Sequence, residues 1–177
     1  LGNSRILKLC ADRQGRVWVG TDCGGVSYVE AGKVTTFGVG AGLEHDKILS
    51  LLEDRQGRIW VGTEKGTSLY QEGRLEVFRV EGEYLSRVRA LLEDEEGQLW
   101  LAPNPRGLRC WDGHGLQVYG LAEGLSDQEV VSLAEDRQGR IWAGTQGGGV
   151  CYLERRTWRS VRPYPHLESL SVESLAE

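Results

Sequence analysis

The chain has 177 residues, of which 40% are hydrophobic and 27% are charged, a composition typical of a soluble globular domain rather than a disordered segment. The formal net charge is −5 with acidic and basic residues interspersed, which argues against a nucleic-acid-binding surface because that surface needs a basic stripe. No apolar stretch is long enough to span a bilayer, and 25 glycines with 4 prolines indicate many tight turns.

Repeats of about 40 residues organise the sequence. One tryptophan column recurs at spacings of 42, 40 and 42 residues, at Trp18, Trp60, Trp100 and Trp142. An aspartate lies six residues before each of these tryptophans, and a glycine follows each aspartate by three residues. Residues 48–63 and 130–145 are identical at 12 of 16 positions. Self-similarity at this period indicates a repeat architecture in which each repeat is one supersecondary unit.

The first half of each repeat predicts two strands joined by a turn. The first strand carries apolar residues on both faces, as expected between neighbouring sheets, and we predict it at Ile6–Ala11, Ile48–Glu53, Val88–Glu93 and Val130–Glu135. The aspartate with glycine three residues later predicts a type I turn capped by the Asp side chain. The second strand is predicted at Arg16–Thr21, Arg58–Thr63, Gln98–Ala102 and Arg140–Thr145.

The second half of each repeat predicts a glycine-rich loop and two further strands. The third strand ends near a residue that is usually tyrosine, at Tyr28, Tyr70, Cys110 and Tyr152. The fourth strand carries an aromatic residue, at Phe37, Phe78, Tyr119 and Trp158. No segment is predicted to be helical, because glycines and turn residues interrupt the chain too often. Four strands in a period of 40–45 residues are typical of a β-propeller blade.

We therefore predict an all-β fold, a single β-propeller segment over residues 1–177 with four four-stranded blades plus the first strand of a fifth. Residues 172–177 repeat the opening of the fourth blade at Val130, 42 residues earlier. Four blades and one further strand favour a fragment of a larger ring over a closed ring of four, which would need tight geometry. Because the chain begins at Leu1 and contains no methionine, we also expect the natural start to be missing. The blades are expected at about 6–39, 48–80, 88–120 and 130–162.

The run Ile-Leu-Ser-Leu-Leu-Glu-Asp-Arg-Gln-Gly-Arg-Ile-Trp-Val-Gly-Thr at 48–63 resembles the two-component regulator propeller repeat. The Gly-Leu pairs at 42–43 and 124–125, ahead of the next first strand, resemble it too. The resemblance covers all four repeats and implies an extracytoplasmic, periplasmic ligand-sensing propeller of a bacterial hybrid histidine kinase. The implied partners are a small-molecule or carbohydrate ligand, the remaining blades and a signalling module of the parent chain. Blade three departs from the pattern with Leu101-Ala102-Pro103 in place of Val-Gly-Thr.

We interpret the repeated residues as scaffold rather than as a site. The tryptophans are expected to fill the wedge between adjacent blades, with a stacking platform for a ligand as the alternative. The aspartates are expected to cap turns rather than bind metal. The four cysteines lack zinc-ligand spacing, and we expect no metal and no cofactor. The apolar first strand left over at 172–177 also predicts self-association.

The sequence favours binding over catalysis. His45 and His166 fall in loops between blades, whereas His114 falls in a turn on the opposite face, so a histidine cluster is not expected. One alternative is an enzyme of the streptogramin-lyase type, which would need a histidine and an acid on the same face. A protein-interaction ring is a third hypothesis.

Binding residues are expected where the repeats differ, because scaffold requirements are the same in every blade. Several unique residues lie on the face formed by the loops between blades and the loops between second and third strands. They combine planar donors with aromatic rings, a mixture suited to sugars or anionic small molecules. These candidate ligand-binding residues are Asn104, Arg106, Tyr84, Arg87, Tyr164, His166 and His45.

Overall fold

The computed structural model describes residues 5–80, 82–83, 85–154, 157–161, 172 and 175. These residues form four sheets, each built from four antiparallel strands that are consecutive in sequence and hydrogen-bonded in chain order. The predicted all-β fold of four four-stranded blades is confirmed. The chain divides into two compact units, one ending at Val88 and the other beginning at Arg89.

The first unit contains two sheets. The first sheet comprises β1 (Ile6–Ala11), β2 (Val17–Thr21), β3 (Val26–Glu30) and β4 (Lys33–Phe37). The second sheet comprises β5 (Ile48–Glu53), β6 (Ile59–Thr63), β7 (Thr67–Gln71) and β8 (Arg74–Phe78).

The remaining strands form the other two sheets. The third sheet comprises β9 (Val88–Glu93), β10 (Leu99–Pro103), β11 (Leu108–Trp111) and β12 (Leu116–Tyr119). The fourth comprises β13 (Val130–Glu135), β14 (Ile141–Thr145), β15 (Val150–Glu154) and β16 (Thr157–Ser160). The four first strands have the predicted bounds, and each second strand begins one residue later than predicted.

Two of the repeated tryptophans, Trp18 and Trp100, pack between adjacent sheets, as predicted. In the first unit the indole of Trp18 is fully buried and its ring centroid lies 4.8 Å from that of Tyr70 in the second sheet. In the second unit Trp100 of the third sheet lies edge-on to Trp158 of the fourth, at 6.1 Å. Large rings fill the space between sheets, which supports the scaffold interpretation of this column.

The repeated aspartates cap their turns, as predicted, and also anchor two side chains. Asp12 Oδ1 accepts the backbone N–H groups of Gln14 and Arg16 at 3.0 and 2.9 Å. Its Oδ2 accepts the Trp18 indole N–H at 2.7 Å and Arg16 Nε–H at 2.6 Å. The sequence analysis missed this second role, in which one carboxylate ties the turn to the buried tryptophan.

Hydrogen bonds also join neighbouring sheets within each unit. The carboxylate of Glu53, at the end of β5, accepts the Arg13 backbone N–H in the first sheet at 3.1 Å. Glu135, at the end of β13, accepts the Glu95 backbone N–H in the third sheet in the same way. Each carboxylate thus binds the turn between the first and second strands of the preceding sheet.

Two short 3-10 helices, at Val39–Ala41 and Leu121–Glu123, are the helical segments in the described part of the chain. The prediction that no segment is helical is wrong for these two segments, because three residues are too few to show a helical periodicity. Each helix ends at the glycine of a Gly-Leu pair, with Gly42 at φ 106°. The following Leu43 is 3% exposed and belongs to the core of the first unit.

Val172 continues the repeat beyond the fourth sheet. Ser132 Oγ donates to the Val172 carbonyl at 2.8 Å, as Ser50 Oγ donates to the Val88 carbonyl at 2.7 Å. Val88 opens the first strand of the sheet that follows Ser50. Val172 therefore occupies the position of a first-strand residue. The predicted fifth-blade strand otherwise lies outside the described residues, apart from Leu175.

Candidate functional site

The loop face is the name used here for the ends of the sheets where second strands end and first strands begin. In the first unit its loops are tied by backbone hydrogen bonds. The Gly25 N–H donates to the Asp46 carbonyl at 2.9 Å, and the Glu64 N–H donates to the Lys47 carbonyl at 3.2 Å. The Arg87 N–H donates to the Glu64 carbonyl at 3.1 Å. These bonds hold the charged side chains of successive loops next to one another.

Five side chains of alternating charge form a row on the loop face of the first unit. The ion pairs run from Arg5 to Asp22 at 3.7 Å, and from Asp22 to Lys47 at 3.9 Å. They continue from Lys47 to Glu64 at 3.7 Å, and from Glu64 to Arg87 at 3.2 Å. The Arg5, Lys47 and Arg87 side chains are 74%, 39% and 50% exposed. Exposed ion pairs contribute about 0–1 kcal/mol, so these cations can exchange a protein carboxylate for a ligand anion at little cost.

Of the predicted site residues, Arg87 is a member of this row and His45 lies beside it. Arg87 forms its ion pair from a left-handed backbone conformation, at φ 52°. His45 is half-buried, and its Nδ1 accepts the Lys47 backbone N–H at 3.0 Å. His45 thus binds the backbone of Lys47, whose side chain is ion-paired with Glu64. Glu64 is in turn ion-paired with Arg87.

The sequence analysis missed Asp22, Lys47 and Glu64 because it searched for residues unique to one blade. Asp22 and Glu64 each directly follow the last residue of a second strand, and Lys47 directly precedes a first strand. The signal that could have found them is an acidic residue after the second strand of blades one and two, beside a basic residue before the first strand of blades one to three.

Two further predicted site residues lie in the second unit, in the irregular loop of blade three. Thr63 closes the matching loop of blade two by donating its hydroxyl to the Gly66 carbonyl at 2.9 Å. Pro103 has no hydroxyl, and the chain turns instead through a cis Asn104–Pro105 peptide bond. The Arg106 N–H donates to the Pro103 carbonyl at 2.9 Å.

Asn104 and Arg106 have opposite environments in this loop. Asn104 is 4% exposed, and its Nδ2 has no hydrogen-bond acceptor among the described residues. Arg106 is exposed, and its carbonyl accepts a hydrogen bond from Arg109 Nη1 at 2.6 Å. A buried donor without an acceptor is costly, and a water or ligand oxygen would satisfy it. The remaining predicted residues, Tyr84, Tyr164 and His166, lie outside the described residues.

The histidines and cysteines of the described segments are dispersed rather than clustered. No group of three or more His, Cys, Asp or Glu side chains is arranged to hold a metal ion in the part of the chain that the structure describes. All four cysteines are free thiols. His114 is exposed in the turn between β11 and β12, where its backbone N–H donates to Asp112 Oδ1 at 2.9 Å. Among the described helices, none is long and apolar enough to cross a membrane.

Solved structures of known proteins share this fold. The chain matches the extracellular domain of a protein described as a hybrid two-component system from B. thetaiotaomicron, with 29% identity and a TM-score of 0.82. The match covers 98% of this chain and 24% of that structure. A second extracellular domain from B. thetaiotaomicron, described as a one-component system, matches with 21% identity, a TM-score of 0.81 and the same two coverages. The chain thus spans about a quarter of these structures.

Propeller enzymes share the fold at lower identity. A catalytically inactive virginiamycin B lyase from Staphylococcus aureus, solved with quinupristin, matches with 12% identity and a TM-score of 0.72. The match covers 95% of this chain and 60% of the lyase. Identity this low indicates the fold alone. No curated protein matches the sequence.

The sequence profile of the two-component regulator propeller family matches residues 1–23, 42–65 and 124–147. The matched segments contain the Asp-Gly-Trp columns of the first, second and fourth blades. Blade three, with its proline-containing loop, is not matched. The first, second and fourth blades of this β-propeller segment thus contain two-component regulator propeller repeats, and the segment shares its fold with the extracellular domain of a hybrid two-component system.

Proposed function

We propose that this chain is part of an extracytoplasmic, periplasmic sensor propeller of a bacterial two-component signalling protein. The single observation that carries the proposal is the 29% identity, over 98% of the chain, to the extracellular domain of a hybrid two-component system. The remaining blades, a membrane-spanning segment and the signalling module belong to the rest of the parent chain. The role of this segment is binding, and any kinase chemistry lies outside it.

The loop face of the first unit is the proposed ligand site. Arg87, Lys47 and Arg5 offer exposed cations, each held by carboxylates that a ligand anion can replace. Guanidinium groups make paired hydrogen bonds to carboxylates and hydroxyl groups, so uronic acids fit this chemistry. The proposed ligand is an acidic oligosaccharide. In the second unit, Arg106 and the unsatisfied amide of Asn104 offer further donors.

Catalysis of the streptogramin-lyase type is not proposed. The Lys47 backbone N–H donates to His45 Nδ1, so this nitrogen is directed at the protein backbone rather than at a substrate. Incubation with quinupristin, followed by reversed-phase chromatography, is expected to leave the compound unchanged. Its conversion would contradict the binding-only role.

The site is tested by thermal shift and calorimetric titration with uronic-acid oligosaccharides and their neutral counterparts. Binding of the acidic members is expected to weaken about ten-fold in Arg87→Ala, since a charge-assisted hydrogen bond contributes about 1.5–3 kcal/mol. Arg74→Ala is the matched control, because Arg74 is exposed at the other end of the second sheet, as the first residue of β8. Equal weakening by both variants, or no binding of any acidic member, would contradict the proposed site.

A further inference from the structure

A cavity of about 640 Å³ opens between the third and fourth sheets, at the ends opposite the loop face. Its size is in the range of small-molecule sites, about 300–1,000 Å³. The rim consists of the first turns of the two sheets, and the floor is the indole of Trp100 with Tyr119 beside it, 5.4 Å between ring centroids.

The equivalent space in the first unit is filled by an arginine side chain. Arg16 is 7% exposed, and its Nε donates to Asp12 Oδ2 at 2.6 Å. Its guanidinium carbon lies 5.4, 5.1 and 5.5 Å from the rings of Trp18, Tyr28 and Tyr70. A guanidinium group thus occupies an aromatic cage between two sheets, with a carboxylate at its base.

In the second unit the arginine and the two tyrosines of this cage are replaced by smaller residues. Gln98 stands at the arginine position, directly before the second strand. Cys110 pairs with Trp100 as Tyr28 pairs with Trp18. The Gln98 side chain also turns away from Asp94, the aspartate of this blade. Its Nε2 donates to Glu96 Oε2 at 2.6 Å, and its Oε1 accepts from Cys110 Sγ at 2.9 Å. The space that Arg16 fills in the first unit is therefore open.

The aspartate at the base of the cage is retained in the second unit as Asp94. Asp94 is 5% exposed and accepts the Trp100 indole N–H at 2.7 Å, but no cation pairs with it among the described residues. A buried carboxylate without a cation is expensive unless a partner compensates it.

The rest of the lining is also acidic. Glu95, Glu96 and Glu135 join Asp94 on the cavity wall, and Arg137 is the one cation among the described lining residues. The pKa of the neighbouring Cys110 thiol is raised to about 12 by burial and by the carboxylates of Asp94, Asp112 and Glu96. The cavity therefore combines negative charge with an aromatic wall.

We propose that this cavity binds a small guanidinium compound, whose cation takes the place that Arg16 occupies in the first unit. The guanidinium would donate to Asp94 and lie over Trp100. An amine at the other end of the ligand would face the rim carboxylates Glu96 and Glu135. The proposal goes beyond the sensor function, since it uses none of the loop-face residues and holds whether or not acidic sugars bind there.

The probe for the test is agmatine, which carries a guanidinium and an amine on a short chain. Titration of residues 1–177 by calorimetry and by tryptophan fluorescence is expected to give saturable one-site binding. Sodium chloride at matched ionic strength should not reproduce it. A parallel titration with N-acetyl-arginine-amide distinguishes two sources of the guanidinium group. Equal binding of the two compounds would indicate an arginine side chain of a peptide, whereas a preference for agmatine would indicate a free metabolite.

Gln98→Arg is the decisive variant, because it restores the arginine of the other repeats. It is expected to weaken agmatine binding about ten-fold or more and to raise the melting temperature, since the new side chain pairs with Asp94. Asp94→Asn, checked for folding by circular dichroism, should also lose binding. Arg87→Ala should leave it unchanged, which separates this site from the loop face. Absence of saturable binding by the unmodified chain, or undiminished binding by Gln98→Arg, would overturn the proposal.

Discussion

Asp54 shows how one side chain sustains the scaffold at the residue scale. Its two oxygens accept four donors: the backbone N–H groups of Gln56 and Arg58, Arg58 Nε–H and the Trp60 indole N–H. A buried carboxylate is stable only when its lone pairs are satisfied in this way. The turn, the arginine and the tryptophan are therefore placed together.

Trp60→Ala is expected to lower the free energy of unfolding by about 3–5 kcal/mol. The indole is fully buried, and its removal leaves a cavity and takes away one of the two donors to Asp54 Oδ2. Chemical denaturation measures the loss, with the exposed Val118→Ala as a control expected to change stability by about 0.5 kcal/mol or less. A loss below about 1 kcal/mol in Trp60→Ala would show that the ring is not a core residue.

The stability of the fold at low pH depends on the repeated turn-capping aspartates, of which Asp12 is an example. Burial tends to raise the pKa of Asp12, but hydrogen bonds from Trp18 and Arg16 outweigh it and hold that pKa below its ordinary value. A carboxyl with a lowered folded-state pKa stabilises the fold above its unfolded-state pKa, about 3.9. That contribution is lost as the pH falls through the folded-state value.

The unfolding free energy should therefore decline between about pH 5 and pH 2. Asp12→Asn, less stable at neutral pH, should show a shallower decline in urea titrations at stepped pH. An unchanged slope would contradict the role assigned to Asp12.

The Gly-Leu segments join successive sheets at the scale of the element. Gly42 has φ 106°, and a Cβ there would lie 2.0 Å from the Leu75 carbonyl oxygen. Only glycine permits both the left-handed conformation and this approach. The pair thus ends the 3-10 helix and directs Leu43 into the core.

Gly42→Ala is expected to destabilise the chain by about 2 kcal/mol or more, from left-handed strain plus the clash with Leu75. Gly40→Ala lies in the same 3-10 helix but meets nothing within 4 Å, so its effect should be about 0.5 kcal/mol or less. Thermal and urea unfolding of the two variants provide the comparison. Equal stabilities would show that the turn is not constrained.

Elements repeated in four copies could be predicted from the sequence, and contacts between copies could not. The Asp-Gly-Trp columns located every first strand at its observed bounds, because a shared turn requires shared residues. The ion pair between Lys47 and Glu64, and the packing of Arg16 against Tyr70, depend on which side chains meet between loops and sheets. The loop of blade three was expected to be irregular, but the burial of Asn104 depends on its three-dimensional path.

At the scale of the whole molecule, one exposed apolar face of the first sheet bears on whether copies of the chain associate. Val17, Val29 and Val34 are in register across β2, β3 and β4. They lie on the side opposite Trp18, which faces the second sheet. Val17 and Val34 are 43% and 50% exposed, and Leu9 is 64% exposed. The matching row of the second sheet, Ile59, Tyr70 and Leu75, is buried within the first unit.

This exposed face predicts self-association of residues 1–177. Uncovered apolar rows of this kind drive association, and a second copy supplies the cover that another blade would supply in a longer chain. Size-exclusion chromatography with light scattering should give a mass above the monomer that rises with concentration. The double variant Val17→Lys and Val34→Lys should shift the chain towards monomer. A monomeric, cooperatively melting wild-type chain at every concentration would contradict this prediction.

Sequencing the complete open reading frame that encodes these repeats tests whether they are part of a membrane-bound sensor. We expect further Asp-Gly-Trp repeats, then a membrane-spanning helix and a histidine kinase or other signalling module in the same frame. A frame that ends without a membrane segment and a signalling module, or continues into an enzyme domain, would contradict this expectation.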